Sequence, residues 1–330
     1  MLHPLQFSCI ALLFSAVVAQ LALAAEPAPE SFPPEIREIT FTSSLDGSEQ
    51  PALIYLPNRS PTQDAPPLLV GLHTWSGNFR QTGSIPMAEW AVRKEWAFIH
   101  PNFRGPNWTP DACGSDLAVQ DVIDAIKHVK QKCPIDESRV YLMGTSGGGH
   151  MSLLVAGRHP ELFTAVSAWV PITDLSAWFY ECQASGRRYA IDMLKAIGAP
   201  PHHARAAYEQ RAPIHWLQRA HSVSFDINAG IRDGHEGSVP ISHSLVAFNQ
   251  LAAPQDRISA TDVIEFTGTS QVPQALIDSA LIDNNYGQKK PLFRRTSKKA
   301  RITIFDGGHE GIPAAGLDWL ARQKKRNPQQ

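Results

Sequence analysis

The chain of 330 residues shows no excess of either charge. Its 30 Lys and Arg against 31 Asp and Glu leave a formal net charge of −1, so nothing in its overall charge points to nucleic acid as a partner. Cysteine is scarce, four in all. With Cys9 set aside in the leader described below, Cys113, Cys133 and Cys182 are an odd set that allows at most one intramolecular pair, which excludes a disulfide-built scaffold. Their spacing fits no zinc pattern, and His202-His203 have no acids at ligand spacing. No metal and no cofactor is therefore expected. Beyond the first two dozen residues no segment approaches the ~18 apolar residues that span a bilayer. Charged residues are only 18% against 43% hydrophobic, so global disorder is excluded and a sizeable core is available.

What is present begins with "MLHPLQFSCIALLFSAVVAQLALAAEP", an apolar run with small residues, Ala22 and Ala24, at its exit. Residues 1–24 are expected to be a secretory signal peptide cleaved near Ala24. Only His3 and the terminal amine supply positive charge ahead of the run, which leaves an N-terminal membrane anchor as the alternative; Cys9 after "QFS" is a poor lipoprotein signal. The mature protein is expected to be secreted or periplasmic, with no membrane association. Asn58-Arg59-Ser60 and Asn107-Trp108-Thr109 are glycosylation sequons, relevant in a eukaryotic secretory pathway. Residues 25–35, "EPAPESFPPE" at their centre, read as a proline-rich extended linker ahead of one domain at 36–325.

That domain alternates. "EITFTSSLDGSEQPALIYLP" reads as a hairpin turning near Asp46-Gly47. Apolar strand-like runs follow at "LLVGLH", "AFIHPNF", "RVYLMG", "AVSAWVP", "VSFDINAG" and "RITIFDGG". Amphipathic helical stretches separate them, among them "DLAVQDVIDAIKHVKQKC", "HMSLLVAGRHP", "ISHSLVAFNQLA" and "AGLDWLARQKK". The pattern predicts an α/β fold: an eight-stranded, mostly parallel sheet with helices on both faces. Two long connections interrupt it. Residues 175–221 carry Trp178, Phe179, Tyr180, Tyr189, Tyr208 and Trp216, apolar enough to pack as a small cap insertion. Residues 253–299 form an insertion before the last strand, ending in the basic run "KKPLFRRTSKKAR", read as a solvated loop from which Arg294 or Arg295 is a candidate to reach the pocket.

The chemistry-bearing residues lie at the strand exits. Gly144-Thr145-Ser146-Gly147-Gly148 has the pattern G-x-S-x-G between a strand and a helix, the context of a nucleophile elbow. The strained turn exposes the serine hydroxyl, and the Gly147 N–H at the helix start faces the developing oxyanion. A serine needs a base oriented by a carboxylate, and in this architecture the order is Ser, acid, His. Asp233 follows the seventh strand and His309 the eighth, where open α/β sheets gather ligands. Glu236 in the same loop and Asp226 within the strand are the competing carboxylates. His150 reads as a packed helix residue, and His235 and His243 as solvent-facing or helix-capping. The second oxyanion donor is expected from the backbone of Thr74 or Trp75, after the third strand; the Trp75 ring either walls the acyl pocket or anchors its loop.

On these residues the stretch from about Leu68 to Arg322 resembles the prolyl-oligopeptidase-type branch of the α/β-hydrolases. "PNFRGPNWT" is similar to that family's Asn-Arg-Gly turn. "DVIDAIKHVKQKCPIDESRVYLMGTSGGGHMSLLVAGRHPELFTAVSAWVPITDL" is similar to its elbow region, "AGIRDG…VPISHS" to its acid loop and "FDGGHEG" to its histidine loop. The resemblance implies an α/β-hydrolase fold and a Ser146, Asp233, His309 triad. The elbow also resembles feruloyl-esterase and polyhydroxybutyrate-depolymerase-like esterases. Several features depart from the peptidases. There is no room for a β-propeller between leader and third strand, Gly147 replaces a bulky tyrosine, and the oxyanion loop reads His73-Thr74-Trp75 without the usual glycine pair.

The expectation is a serine hydrolase working through an acyl-enzyme on a small-molecule, oligosaccharide or short-peptide substrate, with carbohydrate-linked or aryl esters ahead of peptides. The alternative is a peptidase on short peptides; an aminopeptidase form needs a fixed carboxylate for the α-amino group, with Glu181, Glu236 and Glu310 as candidates. A non-catalytic binding protein is the remote third reading.

Overall fold

A computed structural model describes residues 31–325 apart from residues 60, 61 and 279. The expected signal peptide and residues 25–30 of the expected linker lie outside the described residues. The hairpin is β1 (Arg37–Thr42) and β2 (Glu49–Tyr55), turning through Gly47 at φ 73°. There follow β3 (Leu68–Leu72), α1 (Ile85–Lys94), β4 (Ala97–Pro101), α2 (Asp116–Lys132), β5 (Val140–Thr145), α3 (Gly147–Arg158) and β6 (Ala165–Trp169). The second half contains α4 (Leu175–Ala184), α5 (Tyr189–Ile197), α6 (Arg205–Arg211), β7 (Ser224–Gly230), α7 (Ser242–Leu251), α8 (Ala260–Thr269), β8 (Pro291–Ser297), β9 (Ala300–Phe305) and α9 (Pro313–Ala321).

The strands form one sheet in the order β1-β2-β4-β3-β5-β6-β7-β9-β8. From β4 to β9 all neighbours are parallel, while β2 and β8 run against the rest. Among the described residues the sheet therefore has nine strands, not eight. The additional one is β8, within the basic run expected to be a solvated loop. Its apolar Pro291 and Phe293 are buried against the sheet, and its arginines lie along an edge, where charge discourages further strand pairing. Arg294 is bonded to Asp283 and Thr303 and Arg295 to the Arg257 carbonyl, so neither reaches the site.

The unbroken apolar strands are explained by helices on both faces. In β3, Leu68, Val70 and Leu72 pack on one side with Val119 and Val122 of α2, Leu153 and Leu154 of α3 and Phe248 of α7. Leu69 points to the other side, with Met87 and Ala91 of α1 and Leu317 and Leu320 of α9. A side-chain period of two within a doubly covered sheet leaves no solvent face to be polar.

A third apolar cluster belongs to residues 175–221. α4, α5 and α6 bury Leu175, Trp178, Phe179, Cys182, Met193 and Tyr208 together with Trp75 and Val239 from loops of the main body. Asp174 starts α4 by accepting the Ser176 and Ala177 amides. Trp178 meets the Trp75 ring edge to face at 4.7 Å and stacks on Tyr189 at 5.0 Å. This insertion has its core in common with the loop after β3. Cys113, Cys133 and Cys182 are free thiols, and burial pushes Cys113 and Cys182 up to about 12. Replacing Trp178 with Ala empties the centre of this cluster. Urea unfolding of the Trp178→Ala variant is expected to show a loss of about 3–5 kcal/mol, and an unchanged midpoint would mean that the cluster contributes little.

Candidate active site

The order β4-β3-β5 marks the point where successive connections leave the sheet in opposite directions, the usual crevice of open α/β sheets. Because β3 and β5 are neighbours, with Leu72 opposite Gly144, the loops leaving them lie side by side. Ser146 tops the β5 loop at φ 59°, ψ −118°, a left-handed conformation unfavourable for a residue with a Cβ. Two contacts hold it there: its N–H donates to the Trp169 carbonyl and its carbonyl accepts the His150 amide.

The glycines flanking Ser146 are clearances. A Cβ on Gly148 would overlap the Leu72 carbonyl, one on Gly144 the Gly148 backbone, and one on Gly147 the Trp75 amide nitrogen. Two backbone segments thus meet without side chains between them. The Gly147 and Trp75 amides are brought together at the start of α3, where the helix dipole and unpaired N–H groups favour negative charge.

The structure brings Ser146, His309 and Asp233 together. His309 Nε2 lies 2.8 Å from Ser146 Oγ, and its Nδ1 lies 2.9 and 3.0 Å from the two Asp233 oxygens. The carboxylate only accepts, so Nδ1 carries the proton and Nε2 is free to take that of Ser146. Asp233 Oδ1 also accepts the Gly234 amide at 2.9 Å and that of Val239 at 3.2 Å. Exposure falls from 21% for the His309 side chain to 1% for that of Asp233. Asp233 is buried and His309 is partly accessible.

The competing carboxylates are engaged elsewhere. Asp226 lies within the sheet, bonded to Arg301, Ser167 and Asn228. Glu236 pairs with Arg232.

Thr74, expected to share the oxyanion role, does not offer its N–H. That amide donates to Gln81 Oε1 at 3.0 Å, as does the Thr74 hydroxyl. The Trp75 amide nitrogen is the one that lies against Gly147. Its indole is buried, bonded to Asp192 at 3.3 Å and packed on Trp178, so the ring anchors the loop to the cap. Asn107 fixes the same loop by donating its backbone and side-chain N–H to the Trp75 carbonyl. Being buried and doubly bonded, Asn107 is not a glycan acceptor in the folded chain.

Other histidines support the loops. His73 stacks on Phe103 at 3.8 Å between the Thr74 and Asn102 carbonyls. His100 is held between Phe79 and Ser84, and His150 is buried in α3 against the Arg211 carbonyl. His243 was expected at the surface or at a cap but is buried. Its Nδ1 accepts the Thr173 and Asp174 amides while Nε2 donates to Glu181 at 2.9 Å, tying α7 to α4. Among the described residues no cluster of His, Cys, Asp or Glu is arranged for a metal ion.

Sequence reasoning missed three contributors from the cap: Asp192, which holds Trp75, and the consecutive Arg187 and Arg188. Arg187 donates to the Gly234 and Gly237 carbonyls of the acid loop, and Arg188 to Ser76 Oγ beside the oxyanion donor. Asp192 is 117 positions from Trp75, and no local pattern announces such a pairing.

An elbow serine, a histidine–carboxylate pair and two neighbouring amides have here the arrangement of a serine-hydrolase site. Residues 111–265 match the prolyl oligopeptidase family, and this part of the chain is prolyl-oligopeptidase-like. Feruloyl esterase B of Thermothelomyces thermophilus is 29% identical over 122 residues, 34% of this chain and 40% of that protein. Acylamino-acid-releasing enzyme 2 of Oryza sativa subsp. japonica is 28% identical over 138 residues, 38% of this chain and 17% of that protein. The chain thus spans less than half the length of these curated relatives. In fold it is similar to the Pyrococcus horikoshii acylaminoacyl peptidase, with a TM-score of 0.60 at 16% identity over 89% of this chain and 42% of that one. A thermostable esterase gives 0.50 at 16% identity over 88% of this chain and 63% of that one.

Two outcomes are expected. Gly147→Ala must displace the Trp75 amide, so initial-rate assays are expected to show kcat reduced about 10²–10³-fold, the loss of one oxyanion donor, with an unchanged circular dichroism spectrum. Burial lowers the pKa of His73 and of His150 to about 4 and, with the neighbouring His73, that of His100 to about 3. Unfolded histidine titrates near ~6.5, so below that pH the unfolded chain binds protons that the folded rings refuse. Stability present above about pH 6.5 is therefore lost as pH falls toward 4. Thermal midpoints measured across this range are expected to decline, less steeply in His150→Gln; a flat profile would contradict the account.

Proposed function

We propose that the chain is an exported carboxylic-ester hydrolase that works through an acyl-enzyme on Ser146. The observation that carries the reading is the continuous hydrogen-bonded line from Ser146 Oγ through His309 to buried Asp233, set beside the Gly147 and Trp75 amides. His309 Nε2 takes the hydroxyl proton as Ser146 Oγ attacks the ester carbonyl carbon. The oxyanion forms between the two amides. Collapse breaks the ester C–O bond, and the alcohol leaves with the proton from His309. A water then repeats the sequence on the acyl-enzyme, His309 accepting its proton, and frees the acid and Ser146. Asp233 keeps the proton of the resting imidazole on Nδ1 and stabilises the imidazolium. Export rests on the leader sequence with its small-residue exit near Ala24.

Esters are favoured over peptides by the state of the acids around the site. An aminopeptidase needs an unengaged carboxylate for the α-amino group. Glu181 is bonded to His243, Glu236 to Arg232, and Glu310 to Lys289 and the Gly308 amide. The likeness to feruloyl esterases agrees with carbohydrate-linked or aryl esters. A peptidase on short peptides is the second reading, favoured by the match to the prolyl oligopeptidase family.

The test compares initial rates on 4-nitrophenyl acetate, methyl ferulate, acetylated xylan and aminoacyl- or prolyl-4-nitroanilides. Ester turnover is expected, abolished in Ser146→Ala and reduced about 10⁴-fold in Asp233→Asn, which holds the wrong imidazole tautomer. Robust anilide cleavage would transfer the proposal to the peptidase, and absence of Ser146-dependent turnover on every substrate would overturn both readings.

A further inference from the structure

We infer that Arg188 is a specificity residue that receives a carboxylate carried by the substrate next to the scissile ester; this rests on the Ser146 ester-hydrolase reading. The argument starts from where two consecutive arginines reach. Arg187 Nη2 donates to the Gly237 carbonyl at 2.6 Å and the Gly234 carbonyl at 3.2 Å, both in the loop that carries Asp233. Arg188 Nη2 donates to Ser76 Oγ at 3.0 Å, one residue beyond the oxyanion donor Trp75. Adjacent residues at the start of α5 thus touch the acid loop on one side and the oxyanion loop on the other. They connect the loop that carries Asp233 with the loop that carries Trp75.

The two differ in what remains to them. Arg187 is half-buried, with Nη1 on Ser185 Oγ and Nη2 on two carbonyls. The Arg188 side chain is 59% exposed, and its closest carboxylate oxygen is Asp192 Oδ2 at 3.6 Å, beyond hydrogen-bond distance. That same oxygen is engaged by the Trp75 indole. Other cations near the site are matched more closely: Arg232 with Asp306 at 2.6 Å and Glu236 at 3.0 Å, Lys289 with Glu310 at 2.9 Å. Of these cations Arg188 has the loosest ion pair, 3.6 Å to Asp192, and among the described residues its Nη1 group has no protein acceptor beside it.

It is also held in place. The guanidinium carbon lies 5.3 Å from the centre of the half-buried Trp108 ring, a cation–π arrangement. Trp108 follows Asn107, whose amides are pinned to the Trp75 carbonyl, so its position is referred to the same loop. A planar fork seated on an indole and tethered at one amino group, with N–H groups to spare, suits two-point binding of a planar carboxylate. The substrates it selects are esters whose acyl or alcohol part bears a second carboxylate, as in uronate sugars and aromatic acids.

The experiment measures kcat/KM for two matched pairs: mono-4-nitrophenyl succinate against 4-nitrophenyl butyrate, and 4-acetoxybenzoate against phenyl acetate. In the wild-type protein at least one acidic ester is expected to exceed its neutral partner about tenfold or more, with the ratio shrinking as salt screens the charge. Arg188→Gln is expected to bring that ratio down at least tenfold, and Arg188→Lys to fall between, because a point charge replaces the fork. Wild-type ratios near one for both pairs, or an unchanged ratio in Arg188→Gln, would overturn the inference. Should Arg188→Gln fail to fold, competitive inhibition of wild-type phenyl acetate turnover decides instead: benzoate binding at least tenfold tighter than benzamide supports the inference, and equal inhibition overturns it. Ser146→Ala on phenyl acetate is the separate control, since turnover surviving there defeats the Ser146 reading whatever Arg188 does.

Discussion

The site depends on how closely two backbones approach each other. β3 and β5 are neighbours in the sheet, and the chain leaving β5 must turn sharply into α3 while the chain leaving β3 passes over it. Gly144, Gly147 and Gly148 have no Cβ to keep these segments apart. The turn puts Ser146 in a left-handed conformation, strain that an isolated loop would relax. Packing of α3 between the sheet and its neighbouring helices supplies the constraint that keeps it. The placement of Ser146 at the strand exit, the nearness of the Gly147 and Trp75 amides and the start of α3 beneath them all follow from that one approach.

The second layer of order comes from the cap. Its apolar cluster takes in Trp75, so the peptide that presents the second amide is held by a buried indole with its own hydrogen bond to Asp192. Arg187 reaches carbonyls of the loop bearing the acid. The pair of buried His243 with half-buried Glu181 ties α4 of the insertion to α7 of the main body. An insertion anchored at these points holds the loops that carry Trp75 and Asp233, and the buried Asp192 and His243 side chains find partners there, as desolvation demands.

Much of this was legible in the chain. Apolar runs alternating with amphipathic stretches gave the parallel sheet with helices on both faces, since strands covered on both sides have no polar face. G-x-S-x-G between a strand and a helix points to Ser146, and the strand exits, where such sheets gather chemistry, point to Asp233 and His309; the fold brings the three into hydrogen-bond contact. β8 reads as a loop in sequence because Lys and Arg outweigh "PLF" within a short window, whereas an edge strand needs only one buried face. Thr74 and Trp75 were not separable in sequence, because the choice between their amides is made by Gln81, seven residues on.

The sequence by itself determined the class of fold, the chain order of Ser146, Asp233 and His309, and the clearances around Ser146, because periodicity and glycine placement are local properties of the chain. Only the tertiary structure decided which amide joins Gly147, which acids are already engaged, and that Arg187 and Arg188 meet opposite sides of the site. Those outcomes turn on contacts between residues far apart in the chain, such as Trp75 with Asp192 and Arg188 with Ser76. Distance and burial, which decide whether a charge is matched or left over, exist only once the cap has settled on the loops.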